Sequence, residues 1–158
     1  MTTRFEVIGE APNFRLGACG PMIVSVYRGV VDLKALQQID TRQTELLLRH
    51  PKLFSFAIVL SDGLAQPPPE VRQFAADLQG KYASRTTGAA IVVAVSGLAA
   101  VMARGFMVAL SLIAPPTMNQ KTFKTVQDAV EWARSIPNQV AEIAAPDLVE
   151  ALEQFMQG

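Results

Sequence analysis

The chain has 158 residues, a length that fits one domain with a core of its own. Half of the residues are hydrophobic and 18% are charged, which is rich in core residues but still globular. Fourteen Lys and Arg balance fourteen Asp and Glu, so no net field draws in nucleic acid or anionic lipid, and neither is expected as a partner.

Residues 5–8 read as an edge strand. Residues 14–19 and 22–28 read as two more, separated by Gly20-Pro21. In the latter, Met22, Val24 and Val26 alternate with Ile23, Ser25 and Tyr27. Both faces are partly apolar, as in a strand covered on each side. Asp32 suits an N-cap for a helix reaching about Arg49. Leu36, Ile39, Leu46 and Leu47 share one side of it. His50-Pro51 stops it, because proline disfavours helix at the preceding residue. Residues 53–60 form a core strand, and Ser61-Asp62-Gly63 a turn. Pro69 fits the first position of the next helix. Val71, Phe74, Ala75, Leu78 and Tyr82 line one face of that helix, and Gly80 weakens its last turn. Residues 83–87 read as a polar loop.

Residues 88–116 are apolar apart from one charge, Arg104. A bilayer span needs about 20 apolar residues, so the length alone would allow one. An arginine at the bilayer centre costs about 2.5–3.5 kcal/mol. The two halves also differ in character. Residues 90–95 are β-branched, as in a buried strand. Ser96-Gly97 is a turn signal, and residues 98–114 are rich in the helix formers Leu, Met and Ala. The run therefore reads as strand, turn and helix, with no stable membrane insertion.

Pro115-Pro116 closes that helix, and residues 120–124 form a short strand. Thr125-x-x-Asp128 opens a helix as a capping box with Asp in place of Glu. Val126, Ala129, Val130 and Ala133 make its stripe, with Trp132 beside it, and Pro137 ends it. Leu148, Ala151, Leu152 and Phe155 define a last amphipathic helix, with Pro146 near its start. Strands alternating with helices favour parallel crossovers and helices packed on a sheet. The fold class is therefore α/β: a mixed, mostly parallel sheet of five or six strands, with an extra C-terminal helix. Residues 1–137 form the domain and 138–158 a helical extension.

Three segments also carry a resemblance. They are Met22-Ile-Val-Ser-Val-Tyr-Arg-Gly29 leading into the Asp32 helix, and Ile91-Val-Val-Ala-Val95 followed by a helix spanning Phe106 to Pro115. The third is Thr122-Phe-Lys-Thr-Val-Gln-Asp-Ala-Val-Glu-Trp-Ala133. Over residues 13–134 the chain resembles the SpoIIAA-like family of small bacterial proteins. The resemblance implies the STAS-like fold of anti-sigma-factor antagonists, related in topology to the CRAL-TRIO lipid carriers. It implies an interaction module or an apolar-ligand binder. In the anti-sigma antagonists a serine in an Asp-Ser-Ser-Gly turn receives a phosphate. Here Ser61-Asp62-Gly63 lacks the paired serine and runs into prolines.

Few residues suit catalysis. His50, the one histidine, sits where a helix dipole favours it. Cys19 is alone, so it forms no internal disulfide and no cysteine-based zinc site. It reads as an inert buried thiol of a cytoplasmic protein. The first residues hold no apolar stretch of signal-peptide length. No nucleotide, metalloprotease or nucleophile-elbow motif is present, so no cofactor, no metal and no enzymatic activity are expected.

Ser61, Asp62 and Ser96 follow the ends of two core strands, where open α/β sheets bind ligands. They are the candidate ligand or phosphate site, although Ser, Asp and Gly are also ordinary turn residues. The helix over residues 98–114 has no polar side, so its outer face is expected to be covered by the extra C-terminal helix, a second copy of the chain or an apolar ligand. Met102, Arg104, Phe106 and Met107 are the candidate interface on it, with Arg104 either an anchor or a snorkelling side chain. The expected role is a cytoplasmic interaction module pairing with a protein partner or as a homodimer. The alternative is a carrier of an apolar small molecule or lipid.

Overall fold

A computed structural model describes residues 3–29, 32–60, 68–94, 119–137 and 139–158. Its centre is a six-stranded sheet whose spatial order follows the chain, β1 to β6. The first three strands are β1 (Glu6–Ala11), β2 (Phe14–Cys19) and β3 (Met22–Tyr27), paired antiparallel. Two tight turns make this possible. Pro12-Asn13 joins β1 to β2 with Asn13 at φ 65°, and proline before a left-handed residue is the pattern of a type II turn. Gly20-Pro21 joins β2 to β3 with Gly20 at φ 55°, and glycine in that first position is what a II′ hairpin demands.

From β3 onward the sheet is parallel. The chain leaves through α1 (Leu33–Leu47), returns as β4 (Leu53–Val59), leaves through α2 (Pro69–Tyr82) and returns as β5 (Thr86–Val93). A short β6 (Gln120–Phe123) pairs parallel to β5 at the far edge. Then follow α3 (Val126–Ser135) and α4 (Ala145–Gln157).

The helix ends obey local chemistry. The Asp32 carboxylate accepts from the Ala35 amide at 2.8 Å and starts α1. Arg85 closes the other end of α1, donating to Leu47 O at 3.2 Å and Pro51 O at 2.8 Å. Pro69 opens α2 as expected. The Thr125 hydroxyl accepts from the Asp128 amide at 3.2 Å and starts α3. Ile136, just before Pro137, turns extended at φ −96° and ends α3.

Alternation along the strands divides the core in two. Met22, Val24, Val26, Phe54, Phe56, Ile58, Ala90 and Val92 face α3 and α4. Val126, Ala129, Val130 and Ala133 of α3 meet them, with Leu148, Ala151, Leu152 and Phe155 of α4. Both helical stripes are those expected from the sequence. On the other face Leu16, Ile23 and Leu53 pack under Ala35 and Leu46 of α1. Helix α2 lies beside α1 and buries Val71, Ala76 and Tyr82, while Phe74, Ala75 and Leu78 stay partly exposed.

The first strand runs longer than residues 5–8, as Glu6–Ala11, and the start of β5 also needs correcting. Residues 83–87 are not a polar loop. Ala83–Arg85 is a single 3-10 turn and β5 begins at Thr86, four residues earlier than β-branching alone suggested. Register decides this, since Gly88 lies opposite Phe54. A Cβ on Gly88 would stand 2.7 Å from the Phe54 ring and 2.8 Å from Ile136 Cδ1, so only glycine leaves room there.

Among the described residues, no helix is long and apolar enough to cross a membrane. The apolar run begins as β5, in the interior of the sheet. The helix expected over residues 98–114 lies outside the described residues.

Candidate functional site

The parallel strands end together. Tyr27, Val59 and Val93 are in register across β3, β4 and β5. Just past them, the Leu60 amide donates to Tyr27 O at 2.9 Å and the Ala94 amide donates to Val59 O at 3.0 Å. Leu60 and Ala94 are thus side by side at the carboxyl edge, the place where open α/β sheets receive ligands. Ser61 and Asp62 directly follow Leu60, and Ser96 lies two positions after Ala94. Ser61, Asp62 and Ser96 themselves lie outside the described residues, as do Met102, Arg104, Phe106 and Met107.

Ser25 and Tyr27 alternate with Val24 and Val26 on β3 and so share the α1 face of the sheet with Ile23. Ser25, the one buried polar residue among those described, donates to Phe56 O at a long 3.5 Å. Tyr27 is partly exposed and packs its ring 5.5 Å from that of Phe14. Burial pushes the Tyr27 phenol above its usual pKa, and a hydrogen bond with Ser25 opposes this. The phenol is therefore a neutral hydrogen-bonding group near pH 7, not a phenolate.

His50 is at the opposite end of the sheet. Its amide donates to Leu46 O at 3.0 Å as α1 unwinds, just before β4 begins. The seven residues of β4 separate it from the carboxyl edge, roughly 20 Å at ~3.3 Å per residue. Cys19, expected to be buried, ends β2 and is instead only partly buried, against the cluster under α3 and α4. Among the described residues, no group of three or more His, Cys, Asp or Glu could hold a metal ion.

Two polar groupings were not foreseen from the sequence. Between α1 and α2, the Tyr82 hydroxyl donates to the Asp40 carboxylate and lies 2.8 Å from Thr44 Oγ1. Lys81 reaches the same carboxylate oxygen at 2.8 Å. Hydrogen bonds from Lys81 and Tyr82 hold the Asp40 carboxyl below the usual carboxylate range. Burial and the Asp40 carboxylate push the Tyr82 phenol up. At the start of β2, Arg15 donates to Phe155 O at 3.1 Å and stacks 4.8 Å from the Phe155 ring. It closes the last turn of α4. No local sequence signal marks either grouping, because each joins elements far apart in the chain.

No family model matches the chain, and no curated protein matches it. A solved structure does. It is the crystal structure of an uncharacterized protein of the DUF3478 family from Shewanella loihica PV-4, described as having a SpoIIAA-like fold. The likeness has a TM-score of 0.50 at 15% identity and covers 84% of this chain and 95% of the other. This chain has a SpoIIAA-like fold. The family resemblance read from the three hydrophobic segments holds at the level of fold. At such identity the SpoIIAA-like likeness transfers architecture and no residue roles.

Proposed function

We propose that this chain is a non-enzymatic interaction module of SpoIIAA-like fold that binds a protein partner or a second copy of itself. The observation that carries the reading is the sequence joining β5 to β6. Residues 95–118 hold one charged side chain, Arg104, whereas a helix facing water has a polar side. A stretch this apolar in a soluble domain is stable when something covers it. Met102, Phe106 and Met107 supply adaptable apolar contacts, and Arg104 a polar anchor of a kind enriched at interfaces. The single histidine at the far end of β4 supports a non-catalytic role at the carboxyl edge. The lone thiol supports a reducing compartment, the cytoplasm.

Size-exclusion chromatography with light scattering tests the proposal. The expected mass is a multiple of 17.1 kDa, or that of a defined complex with a partner protein. Met107→Glu should return the protein to 17.1 kDa without changing its circular dichroism. A monomer at all concentrations with no partner would overturn the reading. A lipid found on the purified protein by native mass spectrometry would replace it with an apolar-ligand carrier.

A further inference from the structure

We draw no further inference here: the strongest candidate, the cationic surface around exposed Leu48 formed by Arg49, Lys52 and Arg85 at the amino ends of β4 and β5, carries nothing, because Arg85 is engaged by the Leu47 and Pro51 carbonyls, cations beside a helix C-terminus are the ordinary complement of its dipole, and nothing in the structure shows what would cover it.

Discussion

Two glycines show how differently one residue type can matter. Gly17 on β2 faces Phe155 of α4, and a Cβ there would stand 2.5 Å from the ring and 3.2 Å from Glu6 O. Gly17→Ala must therefore displace the ring that Arg15 stacks on, at a cost of about 1–3 kcal/mol. Thermal unfolding should fall by roughly 2–4 °C per kcal/mol. Adding Phe155→Leu should recover part of the loss, since the two sites share one contact. Equal losses that simply add would show that Gly17 does not serve the ring. Gly80 is the opposite case. It is exposed inside α2, and a Cβ there meets nothing within 4 Å. Gly80→Ala should stabilise the protein by about 0.5–1 kcal/mol, measured by urea unfolding, because glycine forfeits backbone entropy in a helix. The weakness at Gly80 was legible in the sequence, being a local property. The need for Gly17 was not, because the ring it accommodates comes from the other end of the chain.

At the scale of elements, α1 and α2 are joined by the cluster of Asp40, Thr44, Lys81 and Tyr82. Asp40 titrates below its ordinary value of 3.8, so the folded state binds fewer protons there than the unfolded chain. Its stabilisation is complete well above pH 3.8 and is lost as pH falls through the lower folded value. The phenol and the ammonium are shifted upward, so their share persists at neutral pH and disappears as pH rises through their folded values. Asp40→Asn should unfold at a lower temperature than the parent at pH 7. The two curves should converge as the parent is acidified below pH 4, and curves parallel down to pH 3 would remove the assignment. The stripes of α3 and α4 were readable because each helix has one apolar side against a single layer. The start of β5 was not, because Thr86-Thr87-Gly88 looks like a loop until register with β4 is known. In the sheet, the Thr87 hydroxyl donates to Leu53 O at 3.3 Å. Helix α4 shares one cluster with β3 and β4, so Leu152→Ala should cost about 2–5 kcal/mol. The fluorescence of Trp132 and the far-ultraviolet dichroism should still report one coincident transition. A separate early loss of helix would instead make residues 138–158 an independent unit.

The whole molecule turns on where its most apolar stretch lies. By length and hydrophobicity residues 88–116 could belong to either a membrane or a soluble chain, and sequence decided between them on Arg104 and on the change from β-branched to helix-forming residues. Topology adds an independent reason. β5 and β6 are hydrogen-bonded neighbours, with Ala89 opposite Gln120 and Val92 opposite Phe123. A single bilayer crossing between them would put the two strands on opposite sides of the membrane and break that pairing. The fold class was therefore legible, because periodicity and caps are written locally along most of the chain. Of the candidate site, sequence named a place, the ends of β4 and β5; the structure sets those ends side by side, while Ser61, Asp62 and Ser96 lie outside the described residues, and Ser, Asp and Gly serve turns as readily as ligands. The architecture makes a plain demand on the protein's behaviour. The expressed chain should stay in the supernatant after high-speed centrifugation of a detergent-free lysate. Recovery only with detergent would contradict the pairing of β5 with β6, and with it the sheet on which the interaction module is proposed to stand.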